Sequence, residues 1–234
     1  FFDYINFVTL IIFFKICLSL VSIYFFFKLV RLSENQNISI FTALIFAIIP
    51  IHVYACVQIS SICIQVFLLT YYFYLIKIFS MKKKMSMKHL IFFSIVSGFL
   101  ILLRGEFILF FIFTLIYFFI LYTKNIKLFF ISFILTLLVV SPYLVRNYYQ
   151  FNTLTITKSF GYNLLKGNNP DFKVEGNPTY IENKYKRSNL NITFDNNFEI
   201  NLDDFYKEKA LDYIKSDFSK YFKNYIIKTI SFMT

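Results

Sequence analysis

Few side chains in this sequence could take part in a reaction, and they fall in three places. The first is Arg104-Gly105-Glu106, which interrupts a long apolar run. Charge at membrane depth is costly. A guanidinium kept there suits a phosphate, because it offers a planar fork of donors and never loses its charge. The turn reads either as a loop at the outer surface or, since Leu90–Tyr122 is short for two crossings, as a re-entrant break that places Arg104 in a cavity. The second place is Ser141-Pro142-Tyr143-Leu144-Val145-Arg146-Asn147-Tyr148, where a helix leaves the apolar region with Arg146 and Asn147 at its end. Arg146 is either a functional cation or an interfacial arginine snorkelling between belt tyrosines. The third is Gly161-Tyr162-Asn163-Leu164-Leu165-Lys166-Gly167-Asn168-Asn169-Pro170, whose glycines and asparagines permit backbone conformations that most residues avoid. Read alone, it is a turn-rich loop presenting Tyr162, Asn163, Asn168 and Asn169.

Metal and thiol chemistry are not signalled. His52 and His89 have no partner at ligand spacing, and Cys17, Cys56 and Cys63 form no Cys-x-x-Cys pair, which makes them small packing residues. No cofactor is expected, with a divalent metal left open. The net charge of +11 does not mark a nucleic-acid footprint. Most cations before residue 150 sit in short connections between apolar blocks, with only Asp3, Glu34 and Glu106 against them, which is topology-setting charge.

The elements that must carry these residues are membrane helices. Hydrophobic residues make up 58% of the chain and charged ones 16%, with a mean hydropathy of +0.61. The apolar blocks are apolar all round rather than striped. With about 20 residues needed per crossing, the spans read as Ile5–Val30, Ile38–Tyr54 with Pro50 breaking its last turn, Ser61–Phe79, Leu90–Tyr122 as a pair broken at Arg104–Glu106, and Leu128–Tyr149. These make about six membrane segments in residues 1–149. The cluster Lys82, Lys83, Lys84 and Lys88 marks a cytoplasmic loop. Counting from it places Lys28, Arg31, Lys124 and Lys127 on that side as well, and Val57–Ser60, Arg104–Glu106 and residues 150–219 outside.

Residues 150–219 are polar, Asn-rich and too long for a plain connector. Phe151–Ser159 reads as a short strand or extended segment, Gly161–Pro178 as loop, and Asp203–Lys215 as an amphipathic helix starting at Asn201 or Asp203. Residues 220–234 read as an interfacial helix beginning the next membrane segment. Asn191-Ile192-Thr193 fits a glycosylation acceptor pattern. Residue 1 is Phe and the last apolar stretch stops without a cap, so the chain reads as a piece of a longer protein.

Taken together, Pro142-Tyr143-Leu144-Val145-Arg146-Asn147-Tyr148, then Gly161-Tyr162-Asn163-Leu164, then Gly167-Asn168-Asn169-Pro170 resemble the bacterial membrane glycosyltransferases related to protein O-mannosyltransferases and aminoarabinose transferases. That family shows a Pro-Trp-x-x-Arg-Asn-like helix exit, and Tyr143 stands here where Trp is common. Leu102-Leu103-Arg104-Gly105-Glu106 is similar to the family's Leu-Thr-Arg-Pro-Glu turn, with Leu103 replacing Thr, and Ala210-Leu211-Asp212-Tyr213-Ile214-Lys215 to its Ala-x-x-Tyr-Ile helix. The resemblance implies an all-α polytopic membrane protein of GT-C type in a bacterial inner membrane, with a mixed extracytoplasmic loop region. It implies transfer of a sugar from a polyprenyl-phosphate donor, with inversion, to an acceptor that is a lipid, glycan or protein. Arg104 would then lie near the donor phosphate, with Glu106 beside it. Arg146, Asn147 and the Tyr162, Asn163, Asn168 and Asn169 loop would line a lipid-sized cavity that the 150–219 region roofs. The family's catalytic acid belongs to an external loop preceding Ile5–Val30, and no residue of this chain matches it, so the chain alone is expected to be inactive. The readings from other classes are a secondary transporter, which would show inverted repeats and mid-membrane polar residues, and a non-catalytic protein that binds lipid carriers.

Overall fold

A computed structural model describes residues 2–58, 60–81, 86–122, 126–185 and 192–231. Lys82–Lys84, Lys124 and Asn191, which enter the orientation and glycosylation readings, lie outside the described residues. Those described form eleven helices and no strand: α1 (Phe2–Arg31), α2 (Gln36–Ile48), α3 (Pro50–Val57), α4 (Ile62–Met81), α5 (Met87–Leu103), α6 (Phe107–Leu121), α7 (Ile126–Phe151), α8 (Phe160–Gly167), α9 (Pro178–Lys184), α10 (Phe198–Ser216) and α11 (Phe218–Ser231). The chain is an all-α polytopic membrane protein. It divides into two compact units, Phe1–Tyr143 and Leu144–Thr234, and the division falls within α7, just past Pro142.

Three helices are long and apolar enough to cross a bilayer: Phe7–Arg31, Ile62–Met81 and Lys127–Phe151. The pair α2 and α3 counts as a fourth span, bent by 52°. Pro50 causes the bend. It lacks the N–H that would continue α2 and occupies the first turn of α3, where no N–H is needed. α5 and α6, with 17 and 15 residues, fall short of a full crossing.

The first unit is knitted by pairs of residues that also give helix direction. Lys15 lies beside Cys63 and Gln58, while Phe25 stacks on Tyr71 and Tyr74, so α1 and α4 run parallel. Tyr72 and Phe79 both meet Phe93, and Phe79 meets His89, so α5 runs back along α4. α6 returns parallel to α4, as Tyr72 donates to Thr114 at 2.7 Å and Phe79 packs edge-on against Phe118. Ser94 meets Ser132 at 3.0 Å and Gly98 lies against Val139, which sets α7 parallel to α5. Small and hydroxylated residues at such crossings bring membrane helices close. Their hydroxyls also bond back to the preceding turn, as in Ser94 to Leu90 O and Ser97 to Phe93 O. On α6 one stripe, Phe107, Phe111, Leu115 and Phe118, is buried. The remaining faces stay apolar yet exposed, with Phe113 at 69% and Ile120 at 68%, as lipid contact requires.

In the second unit α8 packs across α10 over a core of Leu165, Ile181, Phe198, Leu202, Tyr206 and Ala210. Here the structure departs from the loop reading of Gly161–Pro178, because its first part is helix α8. Residues 152–159 contain no strand, and α10 begins at Phe198 rather than near Asp203. α11 occupies the place of the expected interfacial helix.

Candidate functional site

Arg104 ends α5 with extended backbone angles (φ −149°, ψ 119°), and its N–H still bonds to Leu100 O at 3.0 Å. The carbonyls of Arg104, Gly105 and Glu106 accept the amides of Phe107, Ile108 and Leu109, each at 3.1 Å. The turn is therefore pinned by its backbone. Ile101 and Phe107 anchor it in the core on either side, at 4% and 8% exposure. The side chains of Arg104 and Glu106 are exposed, and the guanidinium makes no hydrogen bond or ion pair among the described residues. A cation on such a turn can receive an anion without first breaking an internal bond.

The helix directions place this turn at the end of the unit where α4 begins and α1 starts, with Lys28, Arg31 and Lys88 at the opposite end. At the same end of the unit stands a cation that the composition reading passes over. Lys15 lies within the apolar α1 and is only 3% exposed, its Nζ donating to Gln58 O, the C-cap of α3. Cys63 Sγ donates to Lys15 O at 3.4 Å and lies 3.5 Å from Cys56 Sγ. His52 Nε2 meets Ser19 Oγ at 2.9 Å, while its Nδ1 is buried without a partner among the described residues. The available signal was a lone lysine inside an otherwise apolar span.

The remaining candidates belong to the second unit. Arg146 is exposed and donates to Asn147 Oδ1 at 3.1 Å. Asn147 is buried and donates to Thr155 O at 2.6 Å, which ties the chain leaving α7 back to that helix. The Gly161–Pro170 motif builds α8 and both of its caps. Asp203, 5% exposed, accepts from Gly161 N at 3.1 Å and Tyr162 N at 2.9 Å, so a carboxylate neutralises the positive end of the helix. At the other end Asn168 Nδ2 donates to Leu164 O at 2.9 Å, and Asn169 Nδ2 donates to Leu165 O and Lys166 O, both at 3.0 Å. These satisfy carbonyls that a helix end leaves open. Asn169 Oδ1 is buried and has no partner among the described residues. Tyr162 faces Tyr206 and lines a recess of about 250 Å³ with Lys158, Glu199 and Asp203, whereas Asn163 is exposed. Lys158 is held by Asp204 at 2.7 Å.

A cluster that the motif reading does not contain joins α9 to α10. The Tyr213 hydroxyl lies 2.8 Å from those of both Tyr180 and Tyr185. Lys184 Nζ sits over the Tyr180 and Tyr213 rings at 5.3 and 5.7 Å. Its interaction with the two tyrosine hydroxyls holds Lys184 above the usual lysine range. Burial pushes Tyr180 and Tyr185 up. Burial also pushes Tyr213 up, but the bonds from Tyr180, Tyr185 and Lys184 outweigh it and bring its phenol down. Among the described residues no group of three or more His, Cys, Asp or Glu side chains is placed to hold a metal ion.

The sequence model of the Alg9-like mannosyltransferase family matches residues 3–208. No curated protein matches the chain, and no solved structure does.

Proposed function

Because this chain belongs to the Alg9-like mannosyltransferase family, we propose that it is part of a membrane glycosyltransferase that takes its sugar from a polyprenyl-phosphate donor and passes it to an acceptor on the extracytoplasmic side. The observation that carries the donor assignment is Arg104, exposed and unpaired among the described residues, on a turn between two apolar helices whose three carbonyls are all bonded. The resemblance of the 142–170 motifs to protein O-mannosyltransferase and aminoarabinose transferase relatives supports the same donor class.

In such a transfer the bond between the anomeric carbon and the phosphate oxygen breaks while the acceptor oxygen bonds to that carbon. Negative charge grows on the departing phosphate, and a guanidinium placed beside it offsets that charge. A carboxylate takes the acceptor's proton. Asp203 does not fit that task, since both its oxygens cap α8. Glu106, on the Arg104 turn, is proposed to hold sugar hydroxyls. Arg146, Tyr162 and Asn163 are proposed as lining residues. Asn147, Asn168 and Asn169 enter as the groups that fix the backbone presenting them.

The test follows binding of a polyprenyl-phosphate sugar to membranes carrying the wild type, Arg104→Lys or Arg104→Ala. A charged hydrogen bond to phosphate contributes about 1.5–3 kcal/mol, so Arg104→Ala is expected to weaken donor binding about 10- to 100-fold. Arg104→Lys should fall between the two, because it keeps the charge and loses the fork. Equal binding by all three would refute the phosphate role, and absence of binding by the wild type would refute the donor class.

A further inference from the structure

Beside the tyrosine cluster, the loop after α8 and the helix α9 enclose a groove of about 640 Å³, within the roughly 300–1,000 Å³ usual for small-ligand sites. We propose that this groove is a saccharide-binding subsite that grips neutral sugar units of the acceptor. The inference rests on the glycosyltransferase reading for the word acceptor, but not for the site.

The groove is built before any ligand arrives. Asn177, 5% exposed, donates to Asp171 O at 3.0 Å and accepts from Tyr180 N at 3.2 Å, while its own N–H reaches Lys166 O at 2.8 Å. Gly176 turns the loop with φ +85°, a conformation that favours glycine. The Tyr180 ring is held by its hydroxyl contact with Tyr213 and by the edge of the Tyr213 ring, with Lys184 Nζ 5.3 Å from its centroid. A rigid aromatic wall on a bonded floor loses little entropy when a weak ligand binds.

The lining chemistry points to hydroxyl groups. Asp171, Lys173, Thr179 and Asn183 all line this groove. None of the four makes a hydrogen bond or ion pair among the described residues. Together they offer a carboxylate acceptor, an ammonium donor, a hydroxyl and an amide that does both. A sugar presents donors and acceptors on adjacent carbons and an apolar ring face that packs on an aromatic side chain. A phosphate-rich or nucleic-acid ligand is disfavoured, because Asp171 offsets Lys173 and the Lys184 ammonium is already shared between two tyrosine hydroxyls. An apolar ligand would leave all four polar groups unpaired.

The experiment uses the whole chain in nanodiscs with mannotriose as the probe and inorganic phosphate as a competitor, read by saturation-transfer NMR. Wild type is expected to bind mannotriose in the millimolar range, undisturbed by phosphate. Thr179→Ala combined with Asn183→Ala, both exposed and unbonded, should weaken binding at least tenfold. Tyr180→Phe, which keeps the ring, should bind nearly as well as wild type. Unchanged affinity in the double variant, competition by phosphate, or no wild-type binding at 10-fold above the millimolar range would each overturn the proposal. Donor-lipid binding is measured on the same preparation. Loss of mannotriose binding with donor binding intact assigns the groove to the acceptor. Mannotriose binding without donor binding sinks the polyprenyl-phosphate donor assignment and leaves the saccharide site standing.

Discussion

Replacing Gly161 by alanine tests the contact on which the second unit depends. A Cβ built there would meet the backbone of α10 at three points, with Asp203 O at 1.8 Å and both Asp203 C and Lys207 N at 2.8 Å. Ordinary van der Waals contact begins near 3.4 Å, so α8 would have to withdraw from Asp203 O by about 1.6 Å. The bonds from Gly161 N and Tyr162 N to the Asp203 carboxylate, now 3.1 and 2.9 Å, would then pass out of range. Overpacking of this kind costs about 1–3 kcal/mol, and a hydrogen bond to a charged group contributes about 1.5–3 kcal/mol. With partial rehydration of the carboxylate, the loss should be about 3 kcal/mol or more. At a urea slope of about 1–3 kcal/mol per M, the midpoint for the α8–α10 region should fall by about 1–3 M. Pulse proteolysis across a urea series in detergent reads that midpoint. Gly167→Ala is the control, because among the described residues its Cβ would meet only the flexible tip of Lys228, at 3.1 Å. It should be neutral or slightly stabilising, since alanine is favoured over glycine within a helix. If the two variants unfold together, the packing argument fails.

Cysteines at Ser94 and Ser132, whose hydroxyls lie 3.0 Å apart, should cross-link on mild oxidation in a background with Cys17, Cys56 and Cys63 replaced by serine. A gel showing no cross-link would refute the parallel packing of α5 and α7. Tyr213→Phe should cost the second unit about 1–2 kcal/mol through two lost hydroxyl contacts, seen as an earlier proteolysis midpoint. The cluster also sets a pH window. The phenols of Tyr180 and Tyr185 are raised, so their share of stability is complete below the ordinary phenol value of about 10 and is lost as pH climbs through the raised values. Tyr213, brought down, ionises ahead of them and stays held by its donors. Tyrosine carbon NMR should therefore show one early-titrating ring that disappears in Tyr213→Phe. A ring that persists would overturn the assignment.

The parts of this fold that could be read from the sequence are those fixed locally. Pro50 and Arg104-Gly105-Glu106 break apolar runs by their own covalent and charge properties, and both breaks occur where the pattern put them. α8 was illegible because Gly161, Asn163 and Gly167 are poor helix formers. Its first turn is stabilised by Asp203, which lies 42 and 41 residues beyond the amides it binds. The same interaction explains the misplaced start of α10. An Asp ahead of an amphipathic run is a cap signal, and Asp203 is indeed a cap, but for a different helix. In the candidate site the sequence exposed Arg104 and the Gly-Asn motifs. It could not reveal that Asn168 and Asn169 are occupied by carbonyls of their own helix, nor that Tyr180, Tyr185 and Tyr213 converge.

Lys15 sharpens the case for Arg104. Both cations belong to the same end of the first unit, and a phosphate site there could in principle use either. A buried ammonium is costly unless bonded, and Lys15 meets that cost by donating to Gln58 O, a carbonyl at the exit of α3 with no helix partner of its own. Moving Lys15 to a ligand would break that bond and leave Gln58 O with the Ser60 amide alone. Arg104 carries no such obligation, since the bonds that shape its turn are all made by backbone atoms. Substituting its side chain should leave the turn intact. Of the two, only Arg104 can change partners without changing the fold, which is the property that a site binding and releasing a lipid phosphate at each turnover requires.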